Sequence, residues 1–410
     1  MKKSLVFLLI LAVAGGIFAQ EGSFSWSGAV DFNAKMDLIP DDPEVYLVND
    51  ANTGATVDLA YTLGGLELGM GFTAKVVDAD DNVINKGAIG LKAGYTGDNF
   101  GLHAEMDLFT TQYGTGGDTT FTATFGSQIL SFGPTSLWGY YTFLNGDLRF
   151  DASYNGGGNG VWAVSDIVKD ENWGDWDRLD AGAGGLQFTY TGIDSLSFGI
   201  IFPFYGINGN PAGAPGDYTY GFFENVFKNI TLGAAFDNGS LGVSFMAALQ
   251  NYSDFTVDFA LGFYYQINDA MKVNFDTAMR FGLYTGVSIG LGFSYDASPL
   301  NIGLTIKAID LTDEGLSDSF GGMALEFAPT VSFAFSDFLS AHLNITFDVG
   351  LGDGTATEKM LELEFAPGLD FTIAPNATFG LGYCVRLGLG DAYSDTLVDH
   401  NITLAFHWAF

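Results

Sequence analysis

The chain is poor in several things that a water-soluble domain normally has. Cysteine occurs once, as Cys384. An intramolecular disulfide is therefore excluded, and pairing and packing alone must hold the fold. Charged residues are 15% of 410 positions, where soluble domains carry roughly a quarter. Bases are scarcer still: 15 Lys and Arg against 48 Asp and Glu, a formal net charge of −33. Such a chain has no basic patch for phosphate, which excludes nucleic-acid binding. Past the first twenty residues no apolar run approaches the roughly 18 residues that a membrane-spanning helix needs.

What is abundant points the other way. Hydrophobic residues reach 48% and aromatics 15%, with 56 Gly, 38 Phe and 18 Tyr. An apolar, Gly-rich and aromatic-rich chain without helical spans has the composition of a β-barrel that faces lipid.

Residues 1–19 read as a signal peptide: Lys2 and Lys3 supply the positive region, Leu5 to Ile17 the apolar one, and Gly16-Ile17-Phe18-Ala19 the cleavage site. Residues 20–410 then form one barrel domain. Their dominant pattern is alternation with period two, which puts apolar and polar side chains on opposite faces of a strand. In Ala55–Leu63 the apolar set is Val57, Leu59, Tyr61 and Leu63; Gly64-Gly65 turns the chain, and Leu66, Leu68, Met70 and Phe72 resume it. Residues 271–281 and 339–349 repeat the alternation with charges on the polar side.

Connections alternate short and long, as they do when the two barrel rims face different compartments. Short turns are expected at 64–65, 96–98, 133–134, 191–194, 237–239, 268–270, 296–298, 336–337 and 374–376. Longer segments are expected at 35–54, 77–85, 111–118, 155–182, 205–226, 310–321, 351–358 and 390–397. The fold class is thus all-β, an antiparallel transmembrane barrel of about twenty strands, with eighteen and twenty-two as alternatives. Keeping the number even requires residues 136–154 to be one bent strand bulged at Gly146. Aromatics toward strand ends, namely Phe24, Trp26, Tyr61, Tyr95, Tyr190, Tyr265, Tyr295 and Phe371, suit the headgroup level. A short repeat, Leu325-Glu326-Phe327-Ala328-Pro329 and Leu363-Glu364-Phe365-Ala366-Pro367, places two prolines that should mark bulges or rims.

The chain stops on Ile402, Leu404, Phe406, Trp408 and Phe410 at alternate positions. This resembles the C-terminal strand of bacterial outer-membrane proteins. With the export signal and the whole-chain alternation, the resemblance extends to the porin-like outer-membrane barrels. It implies an outer-membrane location, a barrel assembly machinery that reads Phe406, Trp408 and Phe410, contact with outer-membrane lipid, and a common assembly as homotrimers. The residues themselves leave the oligomeric state open.

No catalytic set is present. His103, His342, His400 and His407 are scattered, and no Gly-x-Ser-x-Gly occurs. Asp78-Ala79-Asp80-Asp81-Asn82 starts like a calcium loop, but Val83 and Ile89 stand where Gly and Glu are needed. The acidic loops at 40–44 and 170–180, the second with Trp173 and Trp176, read as solvated tips with weak divalent binding or sugar stacking as the sharper alternative. No enzyme activity, metal site or cofactor is expected. The polar face carries Asp31, Asp58, Glu67, Lys75, Lys92, Glu105, Asp107, Asp258, Lys272, Asp276, Arg280, Lys307, Glu326, Asp348, Glu362, Glu364, Asp370 and Arg386, and acids outnumber bases. Glu326, Asp348, Glu362 and Glu364 should form an acidic arc facing few bases, with Glu105 and Asp107 as further lining acids. The function expected is a porin for passive diffusion of small hydrophilic solutes, cations preferred. The alternative is a non-channel surface barrel that serves adhesion or envelope structure through its long acidic loops.

Overall fold

The computed structural model describes residues 22–38, 45–47, 54–79, 82–114, 121–125, 136–154, 185–203, 230–251, 255–281, 286–309, 311, 323–350, 360–390 and 397–410. The signal-peptide reading, the turn at 133–134 and most of the expected long segments lie outside them. So do the side chains of Lys75, Asp107 and Arg280, whose backbones are described.

Twenty-two strands follow in chain order. They are β1 (Ser23–Asp37), β2 (Val45–Leu47), β3 (Gly54–Leu63), β4 (Leu66–Ala79), β5 (Asn82–Thr96), β6 (Phe100–Gly114), β7 (Phe121–Phe125) and β8 (Ser136–Phe143). Next come β9 (Leu148–Tyr154), β10 (Gly185–Ile193), β11 (Leu196–Pro203), β12 (Ile230–Asp237), β13 (Leu241–Asn251), β14 (Phe255–Asn268) and β15 (Met271–Phe281). The last are β16 (Gly286–Ala297), β17 (Leu300–Ile309), β18 (Ala324–Ala334), β19 (Leu339–Gly350), β20 (Met360–Ala374), β21 (Ala377–Gly390) and β22 (Leu397–Ala409).

All belong to one antiparallel sheet in which β22 pairs back onto β1, so the sheet closes on itself. Gly28 and Phe410 exchange both backbone hydrogen bonds at 2.9 Å, and Leu38 N–H donates to the His400 carbonyl at 2.7 Å. Setting aside the two shortest strands, β2 and β7, the wall is a closed barrel of twenty strands, as expected. The strands divide between two compact units, Met1–Asn33 with Leu47–Tyr140 and His407–Phe410, and Ala34–Tyr46 with Tyr141–Phe406.

The number twenty arises differently from the expectation. Residues 136–154 are two strands, not one bulged strand, joined by a 3₁₀ turn at Leu144–Gly146. Leu144, Asn145 and Gly146 have φ of 51°, 59° and 104°. That left-handed run suits the Asn-Gly dipeptide, which is itself a hairpin signal. Parity is restored upstream because β8 pairs directly with β6, and β7 only extends along Phe109–Tyr113. Residues 77–85 are also not a long loop: β4 and β5 stay paired out to Ala79 opposite Asn82, since Val76, Val77, Val83 and Ile84 continue the ladder.

The remaining short turns fall where expected and satisfy their own backbone. Asn238 Oδ1 accepts from Ser240 and Leu241 N–H, and Asn268 Oδ1 from Ala270 and Met271 N–H. Ser336 Oγ accepts from Leu339 N–H. Pro329 and Pro367 are mid-strand and cause no register shift; the ladder omits two pairs beside each and resumes in register. Neither proline marks a bulge or rim, because a missing donor at one edge of a strand opens the ladder locally without adding a residue.

Exposure runs opposite to that of a soluble protein. On β14 the apolar Leu261 and Phe263 are 39% and 36% exposed, while Asp258 and Ala260 on the other face are 1% and 7% exposed. The same holds for Leu325 and Phe327 against Glu326, and for Leu363 and Phe365 against Glu364. A face of this extent left open to water would be an aggregation surface; against hydrocarbon it is the stable arrangement. Among the expected end aromatics, Phe24, Trp26, Tyr95 and Tyr265 are exposed, but Tyr61 is buried, its ring against Gly22.

Leu261→Arg is expected to lower folding stability in lipid vesicles by about 2–4 kcal/mol if it sits at the bilayer midplane. Asp58→Arg, on the polar face, should change it by only about 0.5 kcal/mol. Urea titration of vesicle-embedded protein measures both.

Candidate functional site

The polar face of the second unit carries a continuous charged row. Register places Asp276 opposite Gly290, Gly290 opposite Lys307, Lys307 opposite Glu326, Glu326 opposite Asp348, Asp348 opposite Glu362 and Glu362 opposite Gly388. Directly opposed residues in an antiparallel sheet sit about 4.5–5.5 Å apart. Glu326, Asp348 and Glu362 are thus three adjacent carboxylates on neighbouring strands. Glu364 lies one step along β20, opposite Thr346 and Arg386.

These are the four acids that the sequence groups as an arc, and two bases stand beside them. Lys307 Nζ lies 3.4 Å from Glu326, and Arg386 reaches both Glu362, at 2.9 Å, and Glu364, at 3.4 Å. The two cations hold the ends of the arc. Asp348 stays in the middle, and its buried Oδ1 has no hydrogen-bond partner among the described residues. The row therefore carries an excess of negative charge with its least compensated carboxylate at the centre.

Elsewhere on this face Arg149 grips the buried Asp151 through Nε, at 2.9 and 3.0 Å, and Nη2, at 2.6 Å. His342 Nδ1 lies 2.9 Å from Asp370. In the first unit Glu105 pairs with Lys92 at 3.5 Å, and Asp31 meets His407 Nδ1 at 2.5 Å across the β1–β22 seam. Asp107 lies in β6 opposite Gly90; its side chain is outside the described set.

The terminal aromatics occupy the other face. Trp408 is exposed, Phe410 lies 5.2 Å from Trp408 and 5.5 Å from Trp26 between ring centroids, and Phe406 is half-buried. A Cβ on Gly28 would come 2.6 Å from Phe410 Cζ, so only glycine admits that ring against the seam.

One group was not anticipated. On the polar face of β6 and β8, His103 stacks on Trp138 with centroids 4.0 Å apart and planes 14° apart, and Tyr140 follows at 6.3 Å. The signal was available: residues 136–143 read Ser-Leu-Trp-Gly-Tyr-Tyr-Thr-Phe, aromatic on both alternating sets, and it was hidden by treating them as part of one bent strand.

Solved structures similar to this chain include Pseudomonas aeruginosa OccK10 (OpdN), at 10% identity and a TM-score of 0.48, covering 95% of this chain and 99% of that one. They include OccK7 (OpdD), at 10% and 0.47 with 95% and 99% covered, and OprD, at 10% and 0.46 with 95% of each chain covered, both also from Pseudomonas aeruginosa. These are OprD/Occ outer-membrane porins. No family model matches the chain, and no curated protein matches it.

The lone cysteine offers a direct reading of this face. Cys384 alternates with the exposed Leu381, Tyr383 and Leu387 and so shares the side of Arg386 and Gly382. In vesicle-embedded protein a cationic, water-soluble thiol reagent should modify Cys384 roughly tenfold faster than an anionic one of the same size, because acid-lined walls concentrate cations. Equal rates would contradict the charge assignment.

Proposed function

We propose that this chain is an outer-membrane porin through which small hydrophilic solutes diffuse passively, with cations preferred. One observation carries the reading: the apolar faces are exposed and the charged faces turned away from them on a sheet that closes on itself. That arrangement makes sense when lipid wets one face and water the other. A twenty-stranded wall is wide enough for water inside unless chain fills it.

The preference for cations follows from the arc. Glu326, Asp348, Glu362 and Glu364 outnumber Lys307 and Arg386, and Glu105 with Asp107 extends the acid bias to β6. A low-dielectric wall of one sign raises the local concentration of counter-ions and passes them more readily. In this reading residues 1–19 direct export and are removed. The assembly machinery reads Phe406, Trp408 and Phe410, and outer-membrane lipid covers the apolar faces. No enzymatic step, metal or cofactor enters.

Planar-bilayer recording tests this. Folded protein should insert as discrete ion-permeable steps, and a salt gradient should give a reversal potential of the sign for cation preference. Asp348→Asn with Glu362→Gln should move that potential toward zero. Lys307→Ala with Arg386→Ala should move it further in the cation direction. Folded protein that inserts without steps, or a reversal potential of the opposite sign, overturns the proposal.

A further inference from the structure

The stacked rings of the first unit take no part in the ion passage proposed above. Large aromatic side chains on a water-facing wall forgo the burial that usually stabilises them. His103 leans over Gly94, where a Cβ would fall 2.6 Å from its Nδ1, and Tyr140 leans over Gly101, where a Cβ would fall 2.3 Å from its Cε1. Trp138 then lies on His103, with planes 14° apart, and Tyr140 is only 24° from Trp138. Gly94 and Gly101 thus give His103 and Tyr140 room to lean over them, and Trp138 covers one face of His103. All three are partly exposed.

Charge sits beside this floor. Glu105 is two residues from His103 on the same face, and Lys92 lies opposite Glu105 and two residues from Gly94. Their side chains are 48% and 58% exposed and 3.5 Å apart. The patch therefore combines clustered, partly exposed aromatic rings with one donor and one acceptor at its edge.

We propose that His103, Trp138 and Tyr140, with Lys92 and Glu105, form a binding site for uncharged pyranose sugars. A pyranose ring has a C–H face that stacks on an aromatic plane and a rim of hydroxyls, each both donor and acceptor. Lys92 donates to one such hydroxyl and Glu105 accepts from its neighbour. A planar aromatic solute would use the rings and leave the pair idle, and a nucleotide would bring phosphate into a chain of net charge −33. The site deepens the porin reading, since it gives the water-filled face a preferred solute class.

Isothermal titration of maltotriose into the full chain, folded in a detergent without a sugar headgroup, tests the site independently of conductance. Maltotriose should bind saturably, whereas mannitol, which has hydroxyls but no ring face, should not. Trp138→Ala should weaken binding roughly tenfold, and Trp138→Phe should restore most of it. If Trp138→Ala does not fold, Glu105→Gln decides, because it leaves the rings in place and should still weaken binding. No binding, equal binding of mannitol, adenosine binding in place of maltotriose, or unchanged affinity in folded Trp138→Ala or Glu105→Gln overturns the proposal. A chain that conducts but does not bind maltotriose loses this site alone; one that binds but does not conduct loses the porin reading alone.

Discussion

Hydrocarbon offers no partner to a backbone N–H or C=O, so a sheet that meets lipid must pair every strand on both sides. The seam between first and last strands is where this chain meets that constraint. Gly28 with Phe410 and Leu38 with His400 lie ten steps apart on both strands, so the seam runs without a register shift. Asp31 and His407 fall opposite each other in the same register and bond on the polar face. Trp26 and Phe410 pack near the C-terminal end. Loss of this pairing would leave two unpaired edges, each with a row of polar groups.

Closure then decides what each side chain can be. With period-two geometry every second residue faces lipid, which explains why large apolar residues recur at alternate positions and why charge is restricted to the other set. The polar set has room for glycine wherever a neighbour's side chain lies across the wall. Gly94 under His103, Gly242 under Tyr264 and Gly368 under His342 are three cases in which a Cβ would come within 2.6 Å of the ring opposite. Glycine here leaves space that the neighbouring ring fills.

The sequence made the fold class legible because alternation is a local property, visible in Ala55–Leu63 without knowledge of any partner strand. Register is not local. Lys307 and Glu326 are far apart in the chain, and only pairing of β17 with β18 shows that they neutralise each other. The same is true of Arg386 and its two glutamates. At 136–154 the chain turns at Asn145-Gly146, and direct pairing of β6 with β8 keeps the strand number even. Trp138 and Tyr140 meet His103 only through pairing of β8 with β6, which is not local either.

The central claim is that each strand has a hydrocarbon-facing and a water-facing side. Spin labels placed singly at positions 381 to 387 of β21 in lipid vesicles, at the native Cys384 and elsewhere at single cysteines introduced into a Cys384→Ser background, test it most directly. Relaxation by oxygen, which partitions into lipid, should be high at 381, 383, 385 and 387. Relaxation by a water-soluble nickel chelate should be high at 382, 384 and 386. The reverse alternation, or accessibility that does not alternate, would contradict the account.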